Sequence, residues 1–218
     1  SILGQVFEAD PNAILDAETI AILRQAATDK HSQVRGIAIN LLGMTKDKKH
    51  ADIYKKAVND QSYYVIDEAA IALARTKDSQ AYAILTKLVN TKSWQDRIML
   101  AGLNGLAFLE DARTLNLGLK YGKDKSQTGE VRSAALTIVA SVGKGNTEAF
   151  PLIFEEFKKS IETNNFQGMF SGIDSIVKLA DPRGKEAFEI LRNKFKGNPQ
   201  ALQFINAKED EFNKALEK

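Results

Sequence analysis

Residues 47–77 read DKKHADIYKKAVNDQSYYVIDEAAIALARTK, and Asp78 then begins the same pattern again. An aspartate opens the stretch, an apolar-periodic segment follows, a polar turn around Asp60 interrupts it, and an alanine-rich segment closes it. Worked outward, the anchor recurs at Asp16, Asp47, Asp78, Asp111, Asn146 and Asp181, at intervals of 31, 31, 33, 35 and 35 residues. Each anchor makes a good helix N-cap, because its side-chain oxygen accepts from an otherwise unpaired N–H of the first turn. Seven residues on stand Leu23, Tyr54, Leu85, Gly118, Ile153 and Phe188; six on, Ile22, Ile53, Ile84, Leu117, Leu152 and Ala187. Four on stand Ile20, Ala51, Tyr82, Leu115, Phe150 and Lys185, so offsets four and seven are expected to form the buried face of a first helix.

A second helix is expected in each unit, beginning near Ser32, Ser62, Ser93, Thr128 and Thr163 or Asn164. Its buried stripe reads Val34, Ala38, Leu41; Val65, Ala69, Ala72; Leu100, Leu103; Val131, Ala135, Ile138; and Phe166, Phe170, Ile173. Gly43 and Gly143 stand where a helix end takes a left-handed residue, and Asn198-Pro199 starts a last helix through roughly Leu216. Two antiparallel helices of this size cannot bury both faces alone, so neighbouring pairs must stack into one continuous core. The predicted fold is all-α: a right-handed α-solenoid, an α-α superhelix of about six helix pairs. The pairs fall near 16–46, 47–77, 78–110, 111–145, 146–180 and 181–218, read together as a single repeat domain over 1–218.

Composition excludes more chemistry than it suggests. The 218 residues are 44% hydrophobic and 27% charged, as in ordinary folded chains, and only four prolines interrupt them. No cysteine is present, which removes disulfides, thiol catalysis and cysteine-ligated metals. Thirty basic against 28 acidic side chains give +2, no strong field for nucleic acid or anionic lipid. The longest apolar stretch, Ile98 to Leu109, is broken by Gly102, Asn104 and Gly105 and falls short of the ~20 residues of a membrane helix. His31 and His50 are read as solvated surface residues rather than metal ligands, since zinc or iron needs three or four converging ligands. Gly143-Lys144-Gly145-Asn146-Thr147 lacks the order and preceding strand of a P-loop and reads as a helix stop and a new cap. Glu155 and Glu156 read as a solvated face, because adjacent helix positions do not face each other across a cleft. No catalytic residue, metal ligand or cofactor site is assigned in this segment.

Binding is instead expected on the inner helices, which stacking curves into a concave surface. Two of their columns read Gly36, Asp67, Ile98, Ser133, Gly168 and Asn40, Ile71, Gly102, Thr137, Gly172; their small residues either admit a partner or relieve crowding between helices. Candidate concave-face contacts are Tyr63, Tyr64, Asp67, Trp94, Asn104 and Asp174, aromatics at helix starts and polar groups in an otherwise apolar column.

Val34-Arg35, Asp96-Arg97 and Val131-Arg132 follow turns containing Asp29, Asp60 or Asp124, and this resembles the HEAT-repeat pattern over about residues 16–195. The resemblance implies a structural ladder in which Arg35, Arg97 and Arg132 meet aspartates of adjacent turns. A longer stretch, Ser93-Trp94-Gln95-Asp96-Arg97-Ile98, Gly102-Leu103-Asn104-Gly105-Leu106 and Val131-Arg132-Ser133-Ala134-Ala135, resembles the C-terminal helical region of aminopeptidase N-like (gluzincin) zinc metallopeptidases. That family's His-Glu-x-x-His motif is absent, so no catalytic residue carries over, and zinc is expected only in an upstream catalytic domain of the parent protein. The opening Ser1-Ile2-Leu3-Gly4, without an initiator methionine, reads as the start of a fragment of a longer chain.

The expected function is a non-catalytic repeat domain that packs on, and shapes access to, a zinc aminopeptidase-like domain, its partner being protein or peptide, foremost the rest of its own chain. The alternative is an independent HEAT-repeat protein-protein interaction scaffold. A HEAT-like DNA glycosylase comes third, because the inner columns carry no Lys or Arg to face a nucleic acid.

Overall fold

The computed structural model describes Gln5, Phe7, Asp10 and residues 14–217; the opening residues 1–4 behind the fragment expectation lie outside them. Among the described residues there are twelve α-helices and no strand. They are α1 (Ala17–Ala26), α2 (Ser32–Met44), α3 (Ala51–Ala57), α4 (Tyr63–Arg75), α5 (Ala81–Val89) and α6 (Arg97–Leu109). There follow α7 (Leu115–Lys123), α8 (Gly129–Val142), α9 (Ala149–Glu162), α10 (Phe166–Leu179), α11 (Lys185–Lys194) and α12 (Pro199–Leu216). Each anchor interval holds one helix pair, and the architecture is an α-solenoid. The chain divides into two compact units, Ser1–Asp111 and Ala112–Lys218. In the first, α2, α4 and α6 pack in succession, each against its own first helix α1, α3 or α5. In the second, α8, α10 and α12 form the corresponding row, and α7, α9 and α11 pack against them.

The same turn enters almost every pair. The residue before the anchor is left-handed at Lys46, Lys77, Glu110, Gly145 and Ala180, with φ of 56°, 52°, 53°, 80° and 51°. The anchor side chain then accepts a backbone N–H two residues on: Asp47 from Lys49 at 2.9 Å, Asp78 from Gln80 at 2.9 Å, Asn146 from Glu148 at 2.9 Å and Asp181 from Arg183 at 3.0 Å. Asp16 caps α1 through the Thr19 N–H at 2.8 Å. Gly43 and Gly143 do not take the left-handed role expected of them: Gly43 lies inside α2 and Gly143 has φ −89°.

A 3-10 turn separates anchor from helix at Lys48–His50, Ala112–Thr114 and Pro182–Gly184. With or without that turn, the buried face of the first helices runs through offsets three and seven, while offset four is buried only at Ala51 and Phe150. Leu23, Tyr54, Leu85, Gly118, Ile153 and Phe188 are all buried, and so are His50, Ala81, Thr114, Ala149 and Gly184. His50 is therefore not a solvated surface residue; it is 4% exposed.

The second helices bury the expected stripe with three exceptions. Val34 is 40% exposed, and Phe166 and Phe170 are 56% and 50% exposed. Asn165, rather than Thr163 or Asn164, caps α10 through the Gly168 N–H, and Met169, Ile173 and Ile176 form its buried stripe. The two phenylalanines sit one helical step to the side. The small residues relieve crowding: a Cβ on Gly36 would lie 2.2 Å from the Tyr64 ring, and one on Gly102 2.7 Å from the Val89 nitrogen.

The arginine ladder forms in part. Arg35 grips Asp60 through two hydrogen bonds of 2.9 and 2.7 Å and donates to the Asp29 carbonyl at 2.8 Å. Arg132 instead pairs with Glu156, while Asp124 accepts from Ser126 and Gln127. Glu156 is thus engaged within its unit rather than merely solvated. Arg97 stands exposed at the start of α6.

These turns generate two predictions. Gly145, with open space around it and φ +80°, is the position where a side chain is strained, so Gly145→Ala should cost about 1 kcal/mol. Lys46→Gly should gain a similar amount, both read from urea unfolding midpoints. The Arg35 guanidinium holds the Asp60 carboxyl below its ordinary value. Its stabilisation is therefore present above the unfolded value of about 3.9 and is lost as pH falls through the lower folded value. Asp60→Asn should be less stable than the parent at pH 7, and the gap should close as pH drops below about 4.

Candidate functional site

Hydrogen bonds tie the exposed edges of α2, α4 and α6 into one polar row. Asn40 on α2 donates to the Glu68 carboxylate on α4 at 2.6 Å. Asn104 on α6 donates to the Asp67 carboxylate, also on α4, at 3.0 Å. Two turns along α4 from Glu68, the Arg75 guanidinium lies 5.0 Å from the centre of the Phe108 ring of α6. Asp67, Glu68, Ile71 and Arg75 recur at helical spacing, so they share one side of α4, and each is half-buried.

Aromatic groups flank the row. Tyr63 and Tyr64 at the start of α4 are 37% and 42% exposed, and the Tyr64 ring lies on the bare backbone of Gly36. Phe108 is 44% exposed, and Trp94, in the 3-10 turn before α6, is 67% exposed. Gln95 and Asp96 beside it are left-handed, and the Ser93 hydroxyl accepts from the Ile98 N–H at 2.9 Å across that turn.

Of the six contacts expected from sequence, the structure brings Asp67 and Asn104 together directly and places Tyr63 and Tyr64 on the same helix as Asp67. Trp94 remains at the head of α6. Asp174 belongs to the second unit, where it pairs with Lys208 at 3.0 Å. Sequence reasoning missed Glu68, Arg75 and Phe108. The signal for them is present: Glu68 and Arg75 are seven apart, two turns of one face, interrupting a helix otherwise rich in alanine.

The second unit presents a different surface. Its exposed phenylalanines, Phe166 and Phe170, line an apolar groove of about 400 Å³ with Phe195 and Phe204. The Phe170 and Phe204 rings meet edge to face at 5.1 Å.

Residues 20–105, which contain the whole polar row, match the family of HEAT repeats. The fold is similar to that in the complex of CpcE and CpcF of phycocyanin lyase from Nostoc sp. PCC7120, at 15% identity and a TM-score of 0.59, covering 90% of this chain and 77% of that one. Computationally designed armadillo repeat proteins for modular peptide recognition align at 16% identity and a TM-score of 0.40, over 88% of this chain and 99% of theirs. At such identities the likeness is one of fold. No curated protein matches the sequence. Nothing in these matches supports the resemblance to aminopeptidase N-like peptidases; the HEAT-repeat match and the fold likeness to the lyase complex support a HEAT-type helical scaffold.

The electrostatics of the row are set by burial. Burial raises the Glu68 carboxyl above its ordinary value against the opposing bond from Asn40, and the neighbouring Asp67 adds to the rise. Burial also lowers the Arg75 guanidinium. Behind the row, the Tyr54 hydroxyl and Arg75 Nη1 are buried with no hydrogen-bond partner among the described residues, and burial holds the Tyr54 phenol neutral well above its usual range. A carboxyl raised on folding favours the folded state below its unfolded value, and that contribution is lost as pH rises through the folded value. Glu68→Gln keeps an acceptor for Asn40 and removes the charge. It should unfold at a higher urea concentration than the parent at pH 7, with the difference vanishing below about pH 4.

Proposed function

We propose that this chain is an independent, non-catalytic HEAT-repeat interaction scaffold that holds a segment of a partner polypeptide against the exposed edges of α2, α4 and α6. The row in which Asn40 meets Glu68 and Asn104 meets Asp67 carries this reading. Both amides donate into carboxylates, and their carbonyl oxygens remain open to a further donor. Each carboxylate also keeps a second oxygen without a described donor. The surface is therefore rich in acceptors and held in place by bonds across three helices. A peptide supplies complementary donors in its backbone N–H groups and in lysine or arginine side chains.

Exposed aromatics beside such a row are the residue types that anchor interfaces, since rings give large contact area at little conformational cost. The support is rigid, because the polar groups stand on packed helices rather than on loops. The six helix pairs are proposed to serve as one repeat domain in this role. Packing on a zinc peptidase domain gains no support from the matches, and the independent scaffold takes its place.

Selection of a random peptide library on the full chain tests the reading. Peptides enriched in lysine or arginine should bind the parent protein and lose about tenfold in affinity against Asp67→Asn or Asn104→Ala. Far-ultraviolet circular dichroism should show both variants folded. Enriched peptides that bind the variants as tightly as the parent, or no enrichment at all, would overturn it.

A further inference from the structure

The first unit has a second recess, of about 590 Å³, formed by α1 with the segment before it and by the turn from α2 into α3. It shares no lining residue with the polar row. Ile14, Ile20 and Met44 give it an apolar wall, and Ile14 is 96% exposed. Arg24, Lys46 and Lys49 give it a cationic wall, with the His50 ring beside Arg24. The one acidic group in the lining, Asp47, has its side chain in the helix-entry turn, accepting the Lys49 N–H at 2.9 Å. Lys46 and Lys49 form no ion pair among the described residues.

His50 marks the place as different from its equivalents. The same column of the first helices is filled by Ala81, Thr114, Ala149 and Gly184 in the later pairs. Only here does a titratable ring take a position otherwise given to small groups. The ring is 4% exposed, and its Nδ1 lies 3.3 Å from the Arg24 guanidinium. Guanidinium can only donate, so Nδ1 accepts and the remaining ring proton sits on Nε2. Arg24 is oriented by this bond beside two unpaired lysines.

We infer that this recess binds a small amphipathic carboxylate, its acid group on Arg24, Lys46 and Lys49 and its hydrocarbon stem on Ile14, Ile20 and Met44. The volume lies within the few hundred to 1,000 Å³ of small-molecule sites, where an apolar wall supplies affinity and a few polar groups fix orientation. Three cations against one engaged carboxylate set the ligand's charge, and guanidinium is the side chain best shaped to grip a carboxylate with two bonds. The ligand is an anion carrying a hydrocarbon stem: a fatty acid of medium length meets both walls, and a phosphate ion meets one.

Octanoate is the probe, and the two histidine rings of the full 218-residue chain are the reporters, followed by proton NMR. Octanoate should shift the His50 ring signals saturably below about millimolar concentration while those of His31 stay in place. The double variant with Lys46→Gln and Lys49→Gln should weaken binding about tenfold, and Ile14→Ser, at a fully exposed position that cannot disturb folding, should weaken it about threefold. Octanol and inorganic phosphate should each bind at least tenfold more weakly than octanoate. The inference fails if octanol equals octanoate, for then no anion is recognised, or if phosphate equals it, for then the apolar wall plays no part. It fails too if His31 moves with His50, or if no signal moves up to about 10 mM, tenfold above the expected range.

Discussion

A left-handed residue followed by a capping carboxylate or amide is the constraint on which the rest of this structure depends. The left-handed residue turns the chain back, and the Asx side chain takes up a backbone N–H that the incoming helix leaves unpaired. With the turn fixed at Lys46-Asp47, Lys77-Asp78, Gly145-Asn146 and Ala180-Asp181, the first turn of each following helix is aimed at its neighbours before any side chain packs. The bond is local, so it is available early. Packing then selects among few orientations instead of many.

From that geometry follows the crowding of the second helices. Gly43 and Gly105 let the α4 backbone close in: a Cβ on Gly43 would lie 3.0 Å from the Ala72 Cα, and one on Gly105 3.0 Å from the Ala70 carbonyl oxygen. Close helices bring the edges of α2, α4 and α6 within reach of short amides and carboxylates, which is why Asn40 can bond Glu68 and Asn104 can bond Asp67. Longer side chains across a wider gap would form the same pairs with far more freedom to lose. The polar row is thus a product of the packing and not an addition to it.

The helices were legible from the sequence because the capping residues and the seventh-offset column repeat, from Leu23 to Phe188. The exact buried face was not, because the offset-three column is filled by residues as unlike as His50, Ala81, Thr114 and Gly184 and leaves no mark in the hydrophobic pattern. That column buries His50, which composition alone places in solvent. Phe166 and Phe170 misled for a related reason: their spacing suits a buried stripe, but Met169, Ile173 and Ile176 suit it equally, and the Asn165 cap decides between them. Asp67 and Asn104 were identifiable singly as polar groups out of place. Their pairing spans 37 residues and two helices, and no local pattern encodes it. Arg75 and Phe108 are hidden for the same reason.

Within each unit, contacts join a helix mainly to its partner and to the adjacent pair, so few depend on residues far along the chain. Ordering such a chain requires no long loop to be closed at once, and folding can begin at any pair and spread to its neighbours. The same independence has an evolutionary side. A duplication or loss of one whole pair leaves the remaining turns and interfaces intact, so the interval can drift from 31 to 35 residues along a single protein while every pair keeps its place.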